Sequence, residues 1–232
     1  MKLINNKSIY VKNHNTFIEN IIIKKRLEIV KILNNYIKKY KVKDILDVGT
    51  TEDENFKSSN FIIKKIKNKK IILKSISNQN IKLKIFDYKL KHSITKDLDK
   101  KKIMRMSSDL IVSNATIEHV GSRKKQIQMI KNIIKLTKKV FIIITPNRYY
   151  PIDFHSKIPL IHWFPKKIHR WILKKIGMKD LSKEKNLNIL SIKDIESMMR
   201  LFNKNIDYKI SYIKLLMIPS NIIIFGKKKI KI

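Results

Sequence analysis

The sequence predicts an α/β protein built on a mostly parallel sheet. Two observations indicate this class: short apolar segments that end abruptly in small polar residues, and segments of helical spacing between them. The clearest unit is an apolar run at 109–114, a helical pattern at 122–138 and a second apolar run at 140–145. Strands that alternate with helices form parallel sheets covered on both faces. Polar residues should then meet at the carboxyl edge, where such sheets bind ligands.

The elements before this unit follow from the same two patterns. Residues 16–40 place apolar side chains at helical spacing among lysines, which is typical of an amphipathic helix. The apolar and polar periodicity of the following segments predicts strands at 44–49, 71–77 and 81–87, and helices at 61–68 and 97–104.

The pattern changes after the fifth predicted strand. Residues 146–190 contain four of the five prolines, both tryptophans and three of the six histidines, with a short helix predicted at 166–176. A segment this rich in aromatic residues is expected to pack on the domain as an inserted helical and loop cap. We therefore divide the chain into an N-terminal helical segment, 1–40, and a domain, 41–232, that includes the cap.

The end of the chain is predicted to return to the sheet. A Ser-x-x-Asp capping box opens a helix at 191–202. Two apolar runs, 206–217 and 221–227, should form an antiparallel hairpin around Pro219 and Ser220. Together with the five earlier strands, this hairpin makes a doubly wound sheet of seven strands.

Composition narrows the kinds of site that the chain can carry. It has no cysteine, which excludes disulfides and thiolate chemistry, and its histidines lack metal-ligand spacing, so no metal site is expected. The start of the chain lacks the apolar core of a signal peptide. No charge-free stretch approaches the roughly 20 residues of a membrane span. A cytoplasmic protein without a transmembrane segment is the expectation.

The net charge of +35 raises the question of a polyanionic partner. Only six of the 53 basic residues are arginines, and the lysines are spread along the whole chain. This distribution favours a solvated lysine coat over a dedicated nucleic-acid surface. Peripheral contact with an anionic membrane is an alternative, with Trp163, Phe164 and neighbouring lysines at the headgroups.

Three polar segments that follow predicted strands carry the candidate chemistry. Asp47-Val-Gly-Thr-Thr51 offers an acid that accepts hydrogen bonds and a glycine that lets a ligand approach the backbone. Glu-His-Val-Gly-Ser-Arg at 118–123 follows the fourth strand, and Thr-Pro-Asn-Arg at 145–148 follows the fifth. The glycine-rich patterns that hold dinucleotides and phosphates do not occur, which disfavours a dinucleotide enzyme.

In this order and spacing, the three segments resemble a bacterial branch of the class I S-adenosylmethionine-dependent methyltransferases. The resemblance spans about residues 40 to 200 and implies a Rossmann-like fold with S-adenosyl-L-methionine as cofactor. It also implies that the ends of the first, third and fourth strands line the cofactor, through Asp47, Gly49, Thr50, Thr51, Asp87, Asn114 and Ala115. The second strand ends in Ser77 where most of these enzymes have an acid for the ribose, so we expect its hydroxyl to bind more weakly.

Methyl transfer to a hydroxyl or amine also requires removal of a proton from the acceptor. A histidine or carboxylate suits that role. His119 follows the fourth strand, and Asp153 and His155 lie in the predicted cap, so all three are candidate catalytic residues at the cofactor mouth. Either histidine could be the base, and His119 could instead bond to its own loop.

Three further residues are candidates for contact with the acceptor. Glu118 could face the acceptor or anchor its turn. Arg148, next to Tyr149, could clamp an anionic acceptor or pair with Asp153. The residue types do not separate these alternatives.

The predicted function is methyl transfer to a small molecule, a saccharide or a lipid-linked acceptor. An RNA-directed methyltransferase is the alternative that the charge suggests. The fourth strand ends in Ser-Asn-Ala-Thr at 113–116, however, and not in the Asn-Pro-Pro-Tyr type of loop that holds a flipped base. A catalytically degenerate interaction protein of the same fold is a third alternative, because the acid after the second strand is missing.

Overall fold

A computed structural model describes residues 16–52, 57–66 and 70–229 of the chain. Its helices are α1 (Thr16–Lys39), α2 (Phe61–Ile66), α3 (Lys100–Met106), α4 (Arg123–Leu136), α5 (Lys166–Lys175) and α6 (Ile192–Met199). Its strands are β1 (Asp44–Val48), β2 (Ile72–Ser77), β3 (Tyr88–Lys91), β4 (Ser108–Asn114), β5 (Thr137–Pro146), β6 (Ile206–Leu215) and β7 (Ile218–Lys228). Short 3₁₀ turns lie at Ile117–His119, Ile161–Trp163 and Arg200–Phe202.

These elements form one seven-stranded sheet in the order β3-β2-β1-β4-β5-β7-β6. The first five strands of that order pair in parallel, and β7 runs antiparallel to both β5 and β6. The predicted fold, a mostly parallel sheet with a C-terminal antiparallel hairpin, is confirmed. The chain reverses its direction of travel across the sheet between β1 and β4, and open α/β sheets bind ligands beside such a point.

Burial on both faces explains why the central strands are almost uniformly apolar. One core cluster packs α4 and α6 against the sheet through residues such as Met129 and Met198. The other packs α1 and α2 on the opposite face through residues such as Leu33 and Ile62. The sequence of a strand covered on both faces is a nearly continuous run of Val, Ile and Leu, without alternation of polar and apolar residues.

The long first helix belongs to this core in the part that the structure describes. Its Tyr36 ring stacks on Phe225 of β7, with 4.4 Å between ring centroids. The helix lies where the sequence predicts it. Residues 1–15 of the predicted N-terminal segment, and 67–68 of the predicted second helix, lie outside the described residues.

Buried ion pairs tie the amino edge of the sheet together. Lys74 on β2 donates to the carboxylate of Asp44 on β1 at 2.8 Å, and Lys138 reaches the same oxygen at 3.1 Å. The backbone N–H of Asp109 on β4 donates to the other Asp44 oxygen at 2.8 Å. Four neighbouring strands, β2, β1, β4 and β5, therefore share one satisfied carboxylate at this edge.

Two sequence predictions about the strands are wrong. The third strand is Tyr88–Lys91 and not 81–87. The alternation there comes from Ile81, Leu83 and Ile85, which pack against the core from an irregular segment. The hairpin turns at 216–217, where both residues have positive φ, and not at Pro219. Pro219 is tolerated inside β7 because the pairing register shifts beside it.

The close packing of β7 on β5 gives a test of this core. Gly226 pairs with Phe141, and an added methyl group at 226 would overlap the Phe141 ring. We expect Gly226→Ala to lower the free energy of unfolding by about 1–3 kcal/mol through overpacking. Urea unfolding measures the change.

Gly177 supplies the matched control, because nothing lies within 4 Å of a methyl group added there. Because Gly177 has a φ of +83°, the Gly177→Ala variant should lose only about 1 kcal/mol, through backbone strain. An unfolding free energy that stays at the wild-type value in Gly226→Ala would contradict the packing described here.

Candidate active site

The loop after β1 forms the floor of the candidate site. Thr50 donates its hydroxyl to the Asp47 carboxylate at 2.5 Å and accepts a hydrogen bond from the Ser75 hydroxyl at 2.8 Å. The Ser77 hydroxyl donates to the Thr50 carbonyl at 2.7 Å. Asn60 holds the backbone of Thr51 by accepting from its N–H and donating to its carbonyl. Hydroxyls of β2 therefore fix this loop in place.

Asp47 is a buried carboxylate whose partners differ from those of Asp44 in the same strand. It is 8% exposed, and the side-chain hydrogen bond described for it comes from a neutral hydroxyl, that of Thr50. Burial raises the pKa of Asp47 to about 6, and the Thr50 hydrogen bond offsets only part of that rise. Asp44 bonds to two lysines, whereas Asp47 is buried at the ligand-binding edge without a lysine or arginine among its described partners.

Gly49 and Thr116 bring the loops after β1 and β4 into direct contact. The Thr116 hydroxyl donates to the Val48 carbonyl at 3.2 Å, and a side chain at Gly49 would overlap Thr116. Gly49 also has a φ of +93°, which disfavours any other residue. The two loops therefore meet at the point where the strand order reverses.

Asn114 and Ala115 lie on the β4 side of this meeting point. The Ala115 N–H donates to the Ile144 carbonyl of β5 at 2.9 Å, and its φ of +50° turns the chain sharply out of the strand. The structure thus brings together, at one edge, the predicted cofactor residues of the first, second and fourth strands.

Asp87, another predicted cofactor residue, lies at the opposite edge of the sheet from these residues. It precedes β3 at the amino edge, where its carboxylate accepts from the Leu73 N–H at 2.8 Å and its own N–H donates to the Leu73 carbonyl at 2.8 Å. Its predicted position at the carboxyl end of the third strand is wrong because that strand begins at Tyr88. The carboxyl end of β3 instead leads into His92 and Ser93.

Two histidines from distant parts of the chain face each other above the end of β4. The Nε2 atoms of His119 and His155 lie 3.2 Å apart. The Nδ1 atom of His119 lies 2.7 Å from the Asn186 carbonyl, and that of His155 lies 3.1 Å from an Asp153 oxygen. Each ring is thus oriented through Nδ1 and presents Nε2 to the other.

Asp153 is the anchor of the cap side of this pair. Its second oxygen accepts from both the N–H and the hydroxyl of Ser156, at 3.1 and 2.7 Å. Burial would raise the pKa of Asp153, but the hydrogen bonds from His155 and Ser156 lower it well below its usual range. An ionised Asp153 in turn raises the pKa of the His155 imidazole against the effect of burial. Burial and the neighbouring His155 lower the pKa of His119.

Glu118 lies beneath the two rings and is fully buried. Its Oε2 atom accepts from the Thr145 hydroxyl of β5 at 2.9 Å, so the residue anchors its turn, one of the two predicted alternatives. Its Oε1 atom has no hydrogen-bond partner within the described chain and lies 3.9 Å from His155 Nε2. An unpartnered buried carboxylate oxygen requires an explanation.

The cap reaches the site through two asparagines that the sequence analysis did not identify. Asn188 donates from its backbone to the Glu118 carbonyl at 2.7 Å and from its side chain to the Gly121 carbonyl at 2.8 Å. The Asn186 carbonyl orients His119. Because these contacts join residues more than 60 positions apart, no local sequence pattern could indicate them.

Among the described residues Arg148 makes no ion pair with Asp153, one of its two predicted alternatives, and the contact with an anionic acceptor stays a prediction. The Arg148 guanidinium donates to the carbonyls of His162 and Phe164, at 2.9 and 2.7 Å, and so fixes the cap backbone. Tyr149 is half-exposed, with the Arg148 guanidinium 5.9 Å from its ring centroid. Tyr149 is therefore free to contact a ligand, whereas Arg148 is engaged with the cap.

One group of residues in the described chain has the donor set of a metal site. Glu118, His119 and His155 each offer one ligand atom, and these atoms lie within 4.8 Å of one another. Both imidazoles are oriented through their other nitrogen by a carbonyl or a carboxylate, as is usual for histidines that bind metals. Spacing along the sequence could not predict this group because His155 comes from the cap.

Comparison with known proteins places the fold but not the family. No protein-family model and no curated protein matches the sequence. The structure is similar to the methyltransferase domain of bacterial CtHen1, with 11% identity, a TM-score of 0.53, and 89% of this chain and 99% of that chain covered. It is also similar to the small RNA methyltransferase HEN1, with 11% identity, a TM-score of 0.57, and 88% and 25% covered.

A third similar structure is magnesium protoporphyrin IX methyltransferase from Synechocystis PCC 6803 with bound SAH. It shares 10% identity at a TM-score of 0.53, with 95% of this chain and 91% of that chain covered. At these identities the likeness concerns the fold. The chain has the Rossmann-like fold found in these methyltransferases.

The raised pKa of Asp47 can be tested through the pH dependence of the free energy of unfolding. Its pKa is raised from 3.8 to about 6 in the folded chain, so its contribution to stability is present below pH 4 and lost as pH rises through 6. We expect Asp47→Asn to match the wild type at pH 4 and to exceed its unfolding free energy by up to about 3 kcal/mol at pH 7.5. Urea unfolding at both pH values measures this.

Asp44→Asn is the matched control in the same strand, with the opposite sign. Burial raises the pKa of Asp44, but hydrogen bonds from Lys74, Asp109 and Lys138 lower it overall. The contribution of Asp44 to the free energy of unfolding is therefore present at neutral pH and lost as pH falls. If both variants were destabilised most at pH 7.5, Asp47 would not be the uncompensated carboxylate described here.

Proposed function

We propose that the chain is an S-adenosylmethionine-dependent methyltransferase. The observation that carries the proposal is the buried Asp47 carboxylate, which lacks a cationic side chain among its described partners at the edge where the strand order reverses. A buried charge without a partner lowers stability, so its presence at a ligand-binding edge is best explained by a cationic ligand. The methionyl ammonium of the cofactor is such a group.

The residues around Asp47 fit the rest of this cofactor. Gly49 exposes backbone to the ligand, and Thr50 and Thr51 continue the same rim. Asn114 and Ala115 border the crevice on the other side and would lie beneath the adenosine. Ser77 uses its hydroxyl to hold the Thr50 carbonyl, so it would support the loop more than the ribose. When bound, the cofactor supplies a methyl group already activated by a sulfonium.

The acceptor would bind between this rim and the cap. His119 and His155 present their Nε2 atoms there, Asp153 orients His155, and Glu118 presents its unpartnered oxygen beside them. We assign His119, His155 and Asp153 to activation of the acceptor, and Glu118 and Tyr149 to contact with it. Holding the acceptor in line with the methyl group supplies most of the rate in such a transfer.

We further propose that Glu118, His119 and His155 act on the acceptor by holding a divalent cation. One carboxylate oxygen and two imidazole nitrogens suit zinc, manganese or iron better than magnesium. The cation would complete the coordination of the buried Glu118 oxygen and separate two imidazole nitrogens that otherwise face each other at 3.2 Å. It supplies Lewis-acid polarisation of the acceptor atom.

A small molecule, a saccharide or a lipid-linked compound remains the acceptor class that we favour. Arg148 directs two of its guanidinium donors to cap carbonyls, which leaves less of it for phosphates. RNA binding would then depend on lysines spread over the whole surface. Its affinity would fall steeply with salt, without a site-specific component.

Calorimetry with S-adenosylhomocysteine tests the cofactor proposal. We expect the wild type to bind and Asp47→Asn to bind at least about tenfold more weakly, because the amide cannot compensate the ammonium charge. Wild-type affinity should rise as pH increases through 6, the pKa of Asp47, and then level off. Asp47→Asn should lose this pH dependence.

Lys100→Gln, an exposed change in α3, is the control and should bind as the wild type does. A folded wild type that shows no binding at millimolar ligand would remove the methyltransferase proposal. Equal affinities of the wild type and Asp47→Asn would remove the role assigned to Asp47.

Titration with zinc, manganese and magnesium chlorides tests the cation proposal separately. We expect saturable binding of zinc or manganese to the wild type, with magnesium much weaker. Asp153→Asn should reduce that affinity about 10–100-fold by releasing the orientation of His155, and Glu118→Gln should reduce it by removing a ligand. The Lys100→Gln variant again serves as control. A folded wild type that takes up none of the three ions would show that the cluster works without a metal.

A further inference from the structure

The cap carries a group of large apolar side chains that remain in contact with solvent. Around α5 these side chains are between 44% and 59% exposed, and we call them the cap surface: Leu160, Trp163, Phe164, Ile168, Trp171 and Ile176. They lie within 17 consecutive positions of the chain. Single exposed apolar residues are ordinary, but a contiguous group marks an interaction site.

Their exposure does not reflect an incomplete core beneath the helix. The other side of α5 is packed: Leu173 is fully buried in a cluster with Leu181, Leu187 and Ile189, and His169 is also buried. Ile168 and Trp171 are three residues apart, so they are neighbours on the helix face away from that cluster. The cap surface therefore combines the outer face of α5, a helix that already has its core contacts, with apolar residues of the segments that flank it.

The backbone that carries the surface is held firmly. Arg148 donates to the carbonyls of His162 and Phe164, which fixes the turn that leads into α5. The Trp163 indole N–H lies 3.4 Å from the Tyr150 carbonyl. A surface held in this way presents its aromatic rings with little loss of conformational freedom on binding.

The chain segment that carries the cap surface is basic, although Arg170 of α5 is paired with Glu184 at 3.0 Å. No acidic residue occurs between Asp153 and Asp180, whereas that interval contains seven basic residues, namely Lys157, Lys166, Lys167, Arg170, Lys174, Lys175 and Lys179. Lys167, Lys174 and Lys175 are exposed on α5 itself. The Lys175 ammonium lies 5.9 Å from the centroid of the Trp171 ring. Apolar side chains bordered by lysines match a surface that is apolar inside and anionic outside.

We propose that the cap surface docks the protein on an anionic lipid bilayer, with α5 lying in the plane of the membrane. Tryptophan and phenylalanine enter the boundary between headgroups and acyl chains, and lysines at the border bind anionic headgroups. No helix in the described part of the chain is long and apolar enough to cross a membrane, so the contact is peripheral. This proposal stands independently of methyl transfer.

The chemistry of the cap surface favours lipid over nucleic acid as the partner. Leu160, Ile168 and Ile176 have no ring on which a base can stack, and they make up half of the surface. The exposed cations on α5 are lysines, which reach the headgroups while their stems stay in the apolar layer. Single-stranded RNA is the competing occupant that the experiment must separate.

The chain provides its own reporter, because its only two tryptophans both lie in the cap surface. Co-sedimentation and tryptophan fluorescence should be measured with vesicles of phosphatidylcholine alone and with vesicles of about three parts phosphatidylcholine to one part phosphatidylglycerol. We expect sedimentation with the anionic vesicles only, together with a blue shift of the emission. Brominated acyl chains should quench the shifted emission.

Matched variants separate insertion from general attraction of a basic protein. Ile168→Ser with Phe164→Ser should reduce partitioning at least about tenfold, whereas Met104→Ser, an exposed apolar change in α3, should leave it unchanged. Lys174→Gln with Lys175→Gln should weaken binding more than Lys100→Gln with Lys101→Gln.

Three results would overturn the proposal. The first is sedimentation without a blue shift or quenching, since it would assign the binding to the lysine coat alone. The second is partitioning of Ile168→Ser with Phe164→Ser equal to that of the wild type. The third is tryptophan emission that responds to single-stranded RNA and not to vesicles, which would assign the surface to nucleic acid.

Discussion

The parallel pairing of β1 with both β2 and β4 is the constraint on which the site depends. It places the ends of three strands at one edge and makes the chain reverse direction between β1 and β4. The loops that follow β1 and β4 then touch through Gly49 and Thr116. The candidate groups that follow β1 and β4, from Asp47 to His119, lie beside that contact, and the cap brings His155 to them.

Buried carboxylates have different kinds of partner at the two edges of the sheet. At the amino edge, Asp44 is compensated by Lys74, by Lys138 and by a backbone N–H, and it stabilises the fold. At the carboxyl edge, Asp47 bonds to a hydroxyl and Glu118 keeps one oxygen without a partner in the described chain. Buried polar groups left under-satisfied in a folded protein require an explanation, and both of these lie at the edge that carries the candidate site.

Sequence patterns were reliable where a feature is local and less so where it depends on distant contacts. Helix periodicity and capping located α1, α4, α5 and α6, and the apolar runs located β1, β4 and β5, whose polar ends carry most of the candidate residues. Alternation misplaced β3, because a loop that packs Ile81, Leu83 and Ile85 against the core has the pattern of a strand. Because the strand was predicted too early in the chain, Asp87 was predicted at the carboxyl edge of the sheet, whereas it lies at the amino edge.

Long-range contacts explain the remaining differences. Arg148 next to Tyr149 suggested a ligand clamp, and in the fold two of its donors also hold the carbonyls of His162 and Phe164. The grouping of His155 with Glu118 and His119 depends on how the cap folds back onto the sheet. Neither the spacing of these residues nor the composition of the cap indicates how it folds. The same folding leaves an apolar, basic face of the cap outside the core, on a helix whose other side is already packed.

Hydrogen–deuterium exchange with and without S-adenosylhomocysteine tests the central claim most directly. We expect slower exchange in peptides that cover 47–51 and 114–119, because those loops would close on the ligand together, and unchanged exchange in the hairpin at 206–217. Protection confined to the hairpin or to the amino edge, or binding without any change at the two loops, would contradict the account.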